Sequence, residues 1–229
     1  MKIGFIGIEL EEGKVKYQDE KLTALAQKDK TKKITPFFAE FIKDEITQTD
    51  VIVITKDNIL DLLINDMEKI ETRIKNLEEG AEKQLMQKCL EQLEQEKPLC
   101  NVDFTEAEHK ILITLSSPSY KPVVLLNGDE NANTIITLAL EKSNQMFFYT
   151  SGVLESHAWI VDKGSDIVTC AGKIHTDLAR GFIKGDIVSY EDYMNHHNFN
   201  DCKSKGVAKL VDRDYIVQPN ELLEIRFNV

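Results

Sequence analysis

Gly13 and Lys14 are residues whose types could hold a phosphate. They follow the apolar run Lys2–Ile8, and a Gly-Lys pair after a strand is part of the phosphate-binding loop, in which backbone amides and the lysine hold a nucleotide's phosphates. The complete motif is a glycine, four residues, then Gly-Lys-Ser/Thr. Counting back from Gly13 puts Ile8 where the first glycine should be, and Val15 stands where a hydroxyl should hold magnesium. The spacing therefore argues against a phosphate loop.

The residues just before Gly13 also carry the wrong charge. Glu9, Glu11 and Glu12 would repel a triphosphate, where a cradle of backbone N–H groups is needed. The segment instead favours a strand, a turn and a second strand.

His175 stands in "KIHTD" beside Thr176 and Asp177, three residue types that occur in acid–base catalysis. Neighbours on a helix point about 100° apart, and catalytic triads are assembled from distant segments. A histidine bonded to nearby backbone is the favoured interpretation.

His196, His197 and Cys202 could suggest a metal site. Adjacent histidines rarely reach one ion, and no fourth ligand is evident, so we expect a loop and no metal. The cysteines are far apart and form no Cys-x-x-Cys pair, which favours free thiols in a reducing cytoplasm. They are Cys89, Cys100, Cys170 and Cys202.

The composition is typical of a globular protein. The chain has 229 residues, 42% apolar and 29% charged, enough for one domain or two small ones. Its net charge of −11 opposes generic attraction to nucleic acid, so no DNA partner is expected and RNA would need a local basic patch. Because no membrane-length apolar run or signal-peptide pattern is seen, we expect a cytoplasmic protein without membrane contact.

The first fifty-odd residues alternate strand and helix patterns. We predict strands at Lys2–Ile8, Lys14–Tyr17, Ile34–Ile42 and Asp50–Ile54, and a short amphipathic helix at Asp19–Lys28. The last of these strands is a β-branched run, as in a sheet covered on both faces.

A helical repeat begins at Asn58. Apolar residues recur every three or four positions from Leu60 to Leu77, and again from Ala81 to Leu93. Two helices of roughly 15–20 residues, joined near Glu79-Gly80, are predicted to form an antiparallel, coiled-coil-like hairpin. Its exposed faces are rich in glutamate, so this arm is a poor RNA binder by itself.

The chain then returns to mixed patterns. Thr105 and Glu108 form a capping box that opens a helix ending at about Leu115. Lys121–Leu126 predicts another buried strand, and Asn133–Lys142 predicts a helix.

The last third has short alternating strands separated by turns. One helix, at about 171–180, follows the second strand, and two strands, a crossing helix and further strands is the β-grasp, or ubiquitin-like, order. The strand segments are "MFFYT", "SHAWIVD", "GDIVSY", "RDYIV" and "LLEIRF".

The segments "FFYTSGVLESHAWIVDKG", "AGKIHTDLARGFIKGDIVSYEDY" and "RDYIVQPNELLEIRFNV" closely resemble the C-terminal TGS domain of the Obg-like ATPase (YchF) family of translation-associated P-loop proteins. The likeness is dense from about Met146 onward and thinner before it. "DLLINDMEKIETRI" and "LMQKCLEQLEQEKPL" are similar to the family's helical arm. "KPVVLLNGDEN" is similar to the strand leading to its base-recognition motif.

This resemblance implies that two stretches of the family are missing. Gly13 matches the glycine that starts the family's second strand, so the phosphate loop, its helix and the first switch are deleted. A gap after Ile42 removes the Asp-x-x-Gly switch and the histidine used in hydrolysis. The resemblance thus implies no enzyme activity. The family places another strand between its first and second strands, and the Glu9–Glu12 link permits either that order or a plain hairpin.

Asn127 and Glu130 match the family's Asn-x-x-Glu base-reading motif, which implies a pocket that hydrogen-bonds a purine. The alternative is a helix-entry turn, where Asn-Gly and acidic residues are common. Without phosphate donors and magnesium, base contacts alone should bind weakly. We therefore expect no cofactor, or at most a weakly bound purine nucleotide.

The resemblance also implies a ribosome- or RNA-facing role for the TGS domain. The candidate surface is the best basic patch in this part of the chain, although charges scattered on a solvated face are the alternative. Its residues are Lys173, Arg180, Lys184, Lys203 and Lys205.

Together these features predict a two-part α/β (α+β) protein. Residues 1–145 are expected to form a degenerate P-loop NTPase-like domain with a helical hairpin at about 58–117, and residues 146–229 a β-grasp TGS domain. The leading hypothesis is a non-catalytic pseudo-NTPase that contacts RNA, the ribosome or a translation factor. The competing hypothesis is a residual ATP- or GTP-binding protein or weak ATPase.

Overall fold

The computed structural model describes residues 1–228. The helices are α1 (Glu20–Lys28), α2 (Ile59–Asn76), α3 (Ala81–Glu94), α4 (Glu106–Leu115), α5 (Ala132–Lys142), α6 (Ile167–Ile174), α7 (Thr176–Arg180), α8 (Tyr190–Asn195) and α9 (Phe199–Ser204). The strands are β1 (Lys2–Ile6), β2 (Gly13–Lys16), β3 (Lys33–Thr35), β4 (Phe38–Lys43), β5 (Val51–Thr55), β6 (Val123–Leu126), β7 (Gln145–Ser151), β8 (Glu155–Asp162), β9 (Phe182–Val188), β10 (Lys209–Val211) and β11 (Leu222–Phe227). No helix in this part of the chain has the length and apolar character needed to cross a bilayer.

The chain divides into two compact units. The first comprises residues 1–15 and 39–143, and the second comprises residues 16–38 together with everything from 144 onward. The predicted domains were residues 1–145 and 146–229. In the structure, residues 16–38 belong to the second unit and not to the first. The cause is pairing and packing, because β3 pairs with β8 and α1 packs on β7 and β8.

The first unit is built on a five-stranded sheet in the order β2-β4-β1-β5-β6. β1 pairs in parallel with β4 and β5, and β5 pairs in parallel with β6. β4 therefore lies between β1 and β2. Of the two strand orders that the sequence left open, the chain adopts the one with an inserted strand.

The sequence of β5 predicted a sheet that is covered on both faces. Every residue of β5 is buried, which fits a β-branched run in a parallel sheet. The predicted hairpin is present, since α2 ends at Asn76, α3 begins at Ala81, and the two helices pack together. Leu63 and Ile70 of α2 and Leu93 of α3 are fully buried in its core. The capping box of Thr105 and Glu108 also forms at the start of α4.

The predicted strand at 34–42 was wrong in one respect: it is two strands in two sheets. β3 joins the sheet of the second unit and β4 joins the sheet of the first. Pro36 stands between them, and a proline cannot donate the backbone hydrogen bond that a continuous ladder needs.

The second unit is built on a six-stranded sheet in the order β10-β9-β11-β7-β8-β3. Taking β7 to β11 as strands one to five, their order across the sheet is two, one, five, three, four. β11 runs parallel to β7 and antiparallel to β9, with α6 and α7 crossing between β8 and β9. This is the β-grasp arrangement that the sequence predicted, extended by β3 at the β8 edge.

Several elements of the second unit differ from the predictions. The predicted strand "RDYIV" is not a strand, and only an isolated bridge joins Ile216 to Asp166. The predicted helix at 171–180 begins earlier, at Ile167, and is interrupted at His175. His196, His197 and Cys202 were expected in a loop. The two histidines lie between α8 and α9, but Cys202 lies in α9.

α1 is fastened to the β-grasp sheet by two carboxylates. Asp19 accepts a hydrogen bond from the Tyr149 hydroxyl at 2.9 Å while its other oxygen caps the first turn of α1. At the opposite end of the helix, one oxygen of Asp29 accepts from Ser151 at 2.6 Å and from the Tyr193 hydroxyl at 2.8 Å. Lys28 lies over the Tyr193 ring at 3.9 Å. Buried polar groups are thus paired at both ends of the helix.

Removing one of these hydroxyls should destabilise the second unit. In Tyr149→Phe the ring still fills its site, but the buried Asp19 loses a donor. Leaving a buried charged acceptor short of its partner costs on the order of 1–3 kcal/mol. We expect a lower urea midpoint with an unchanged slope.

Tyr190→Phe is the matched control, because the Tyr190 ring contacts Lys21 and its hydroxyl, whose pKa is raised by burial and by the Asp19 charge, donates no hydrogen bond to Asp19 within residues 1–228. The control should unfold like the parent chain. Equal loss in both variants would mean that the Asp19 contact does not fasten the helix.

Asp66 on α2 is a fully buried carboxyl in the first unit. One oxygen accepts the Ser119 N–H at 2.9 Å. Burial raises the pKa of Asp66, and the Ser119 hydroxyl and N–H offset this only in part. The folded state therefore favours the neutral acid, and stability contributed by Asp66 is lost as pH rises through its raised pKa.

Asp66→Asn should gain stability relative to the parent chain as pH rises from about 4 to about 7, because asparagine does not ionise and still accepts the Ser119 N–H. Urea unfolding across this range measures the difference. Glu68→Gln, an exposed change on the same helix, should show no such trend. A pH-independent deficit in Asp66→Asn would contradict the buried-acid assignment.

Candidate functional site

The end of β1 is where a phosphate-binding loop would begin. Residues 7–12 leave β1 and reach β2 directly, and no helix lies between the two strands. Gly13 is the first residue of β2, as predicted, and Lys14 is an exposed residue of that strand. A phosphate loop holds its anion with backbone N–H groups at a helix N-terminus, and no helix begins within residues 7–12.

Side chains occupy the space beside Gly7. Its φ of +72° is left-handed, and a Cβ at this position would lie 2.2 Å from Asn58 Oδ1 and 2.6 Å from Thr55 Oγ1. Thr55 donates to Asn58 at 2.7 Å, and Asn58 donates to Asp61 at 3.1 Å. The carboxyl ends of β1 and β5 are thus closed by a local hydrogen-bond chain.

A cleft does open beside the β1–β2 connection, but its charged lining is mainly acidic. Glu12, beyond the lining, accepts the backbone N–H of Lys43 at 2.8 Å. Two carboxylates against one ammonium disfavour a triphosphate. The lining residues are Phe5, Ile8, Glu9, Leu10, Glu11 and Lys43.

The Asn127–Glu130 segment forms a tight turn between β6 and α5. Glu130 accepts the backbone N–H of Asn127 and that of Gly128, each at 2.9 Å, and these bonds lower the pKa of Glu130. The Asn127 amide donates to Glu130 at 3.3 Å and accepts from Lys56 at 2.8 Å. The groups that would read a purine are therefore engaged within the turn, which supports the helix-entry alternative, while a base-reading role stays a prediction.

The predicted basic patch is largely paired with carboxylates. Arg180 bonds Asp177 at 3.0 Å, and Lys184 pairs with Asp212. Lys173 is exposed on α6, and no ion pair is seen for it among residues 1–228.

The two remaining patch lysines are paired as well. Lys203 lies 2.6 Å from Glu224 and 3.2 Å from the buried Asp186, and Lys205 lies 3.2 Å from Asp201. Arg226 completes this network with two bonds to Asp186, at 2.7 and 2.8 Å. The patch has positive residues in the predicted places but little net positive charge, and its role in binding stays a prediction.

The histidines serve local structure. His175 interrupts the helix and accepts the Asp177 N–H at 3.1 Å, so it bonds to nearby backbone as favoured. His196 bonds the Asp192 carbonyl at 2.6 Å, and the His197 N–H donates to Asp201. Across residues 1–228, no three His, Cys, Asp or Glu side chains are grouped to hold a metal ion.

The cysteines are free thiols. Burial raises the pKa of Cys89 to about 11 and that of Cys170 to about 12, so neither is a thiolate near neutral pH. Cys202 is also buried, and burial raises its pKa.

One charged segment escaped the sequence reasoning. "KDKTKK" (residues 28–33) holds four lysines and one aspartate, the densest basic run in the chain. It was overlooked because it lies inside a segment that looked like a plain helix-to-strand connection. Its composition alone could have identified it.

Comparison with known proteins finds similar sequences and a similar fold. Residues 146–228 match the YchF-GTPase C-terminal family, described as a protein of unknown function (DUF933). The ribosome-binding ATPase YchF of Bacillus subtilis is 27% identical over 260 residues, covering 82% of this chain and 71% of that protein. Obg-like ATPase 1 of Pongo abelii is 37% identical over 82 residues, 36% of this chain and 21% of that protein. The structure of the Schizosaccharomyces pombe YchF GTPase matches with a TM-score of 0.79 at 17% identity, covering 99% of this chain and 97% of that one.

The C-terminal part of the chain belongs to the YchF family. The alignment of this chain with the Bacillus YchF contains gaps. It spans 260 positions, but only about 188 residues of this chain, 82% of 229, take part in it. About 70 aligned positions of that relative therefore have no counterpart here. The match to the YchF of Haemophilus influenzae, 36% identical, covers 42% of this chain and only 27% of that protein.

The closed end of β1 can be tested with glycine variants. Gly7→Ala and Gly13→Ala both place a side chain at positive φ, but nothing lies within 4 Å of a Cβ at Gly13. We expect Gly7→Ala to lower the free energy of unfolding more than Gly13→Ala does, because only Gly7 meets Thr55 and Asn58.

A double-mutant cycle identifies the clash. Asn58→Ala should recover part of the loss in the Gly7→Ala background and none in the Gly13→Ala background. Strict additivity of Gly7→Ala and Asn58→Ala would show that Asn58 does not fill this space.

Proposed function

We propose that this YchF-family protein is a non-catalytic, ribosome-associated protein of the cytoplasm. The observation that carries the first part is the β1–β2 connection. It leads from strand to strand without a helix, bears three glutamates, and leaves Lys14 on the surface of β2. Phosphoryl transfer requires backbone donors, a lysine and magnesium around the transferred group.

The unmatched positions in the Bacillus alignment support the same proposal. About 70 positions of a named ATPase have no counterpart here, and in this chain six residues, 7–12, join the first two strands. Because catalytic residues are concentrated in loops, a sheet with a short first connection favours a scaffold over an enzyme.

The ribosomal part of the proposal comes from the relatives. Those from Bacillus and Haemophilus are named ribosome-binding ATPases. Residues 146–228, which match the YchF C-terminal family, form a β-grasp sheet with its own core, and this core does not depend on a nucleotide. Binding to the ribosome can thus persist where hydrolysis does not.

In calorimetric titration with magnesium present, we expect no measurable binding of ATP, ADP or GTP. A phosphate-release assay should show no hydrolysis of ATP or GTP. Lys14→Ala and Asn127→Ala serve as matched variants for the phosphate and base positions. Turnover that disappears in Lys14→Ala would falsify the non-catalytic proposal. Nucleotide binding that disappears only in Asn127→Ala would favour the competing residual-nucleotide function.

The same preparation should co-sediment with ribosomes at low salt, with or without nucleotide. Failure to co-sediment at low salt would remove the ribosome from the proposal and leave the absence of turnover as a separate result.

A further inference from the structure

The loop between α1 and β3 is the least compensated positive segment of the second unit. From Lys28 to Lys33 the chain has four lysines and a single acid, Asp29. One oxygen of Asp29 accepts from Ser151 and Tyr193 inside the unit, and the other lies 3.5 Å from the ammonium of Lys28. Lys30 and Lys32 are exposed and have no carboxylate partner within residues 1–228, whereas Lys33 pairs with Glu155 at 3.0 Å. We call Lys30, Lys32 and Lys33 the α1–β3 lysines.

The backbone under these lysines is held in place. Lys30 follows the C-cap of α1 in a left-handed conformation, with φ of 49°. The Thr31 hydroxyl donates to the Gly152 carbonyl at 2.8 Å, and the N–H groups of Lys32 and Lys33 donate to Val153 and Leu154 at 3.0 and 3.2 Å. The ammonium groups therefore extend from a fixed loop, which lowers the entropy lost on binding.

The positive charge of these lysines, on a protein that is acidic overall, favours an anionic partner. The protein carries −11 overall, and four of the five β-grasp residues predicted to bind RNA are paired with carboxylates. Lysines without internal partners on an acidic protein offer local attraction to phosphates with little long-range pull.

The neighbouring side chains favour a phosphate backbone over unstacked bases. Val153, Leu154 and Ile34 are the large exposed residues beside the lysines, and all are aliphatic. Binding to single-stranded RNA relies on aromatic rings that stack bases. The nearest rings, His157 and Trp159, stack on each other at 3.5 Å, and Trp159 also stacks on Phe148, so these rings are engaged within the unit. Helical RNA is recognised largely through its phosphates and shape.

We propose that the α1–β3 lysines form a contact surface for the phosphate backbone of an RNA helix. This rests on the proposed function, since ribosomal RNA would be the natural source of such a helix. It moves the RNA contact from the paired β-grasp residues to residues 30–33.

The direct test is the binding of a short fluorescein-labelled RNA hairpin by the full chain, followed by anisotropy over a salt series. Lys30→Gln/Lys32→Gln should weaken binding severalfold at low salt and reduce the slope of log K against log salt by about two. Neither lysine has a carboxylate partner, so unfolding should be unchanged. Lys184→Gln/Lys205→Gln removes the same charge from paired positions and should leave the slope nearly unchanged.

Three results would overturn the surface: no RNA binding by the parent chain at low salt, equal losses in the two double variants, or equally strong lysine-dependent binding to phosphatidylglycerol vesicles. The last result would identify a membrane surface instead.

Ribosome co-sedimentation separates this inference from the proposed function. If the parent and Lys30→Gln/Lys32→Gln co-sediment alike, the surface is wrong and the function stands. If the parent binds the RNA hairpin as described but not ribosomes, the function is wrong and the surface stands.

Discussion

Hydrogen bonds to Asp19 and Asp29, at the two ends of α1, attach this helix to the rest of the second unit. Each carboxylate sits at one end of the helix and accepts a hydrogen bond from a tyrosine hydroxyl, from Tyr149 at 2.9 Å and Tyr193 at 2.8 Å. The sequence separations are 130 and 164 residues. Burying a carboxylate without partners costs several kcal/mol, so these contacts favour one placement of the helix. That placement sets the start of β3 and fixes the loop that carries the α1–β3 lysines.

The alternation of β7 shows why this helix is needed. Met146 and Phe148 belong to the core beside α6, whereas Phe147 stacks on Tyr17 at 5.6 Å and meets Phe37 at 5.4 Å. Successive strand residues face opposite sides, so a sheet with apolar residues at consecutive positions must be covered on both. The β-grasp helices cover one face. Residues 16–38, with α8, supply cover for the other, which explains why this segment lies in the second unit.

The elements predicted correctly from sequence are those whose signals are local. The hairpin of α2 and α3, the buried β5 and the Thr105 capping box each follow from spacing within one segment. The errors occur where partners are distant in sequence. "RDYIV" has strand composition, yet β10 takes the place beside β9, and no pattern in either segment distinguishes them. The chain's change of sheet at Pro36 was missed because the flanking residues form one continuous apolar run.

The candidate site shows the same limit. The family resemblance placed Gly13 at the start of the second strand, while motif spacing and a short link with three glutamates already disfavoured a phosphate loop. The neutralisation of the basic patch was not predictable, because it depends on register. β9 and β11 pair so that Lys184 stands opposite Arg226 and Asp186 opposite Glu224, and α9 brings Lys203 to both acids. A list of lysines therefore overestimates positive surface, because an acid one strand away can cancel each charge. The lysines at 30 and 32 escape this, since Asp29, the acid nearest in sequence, already serves the interior.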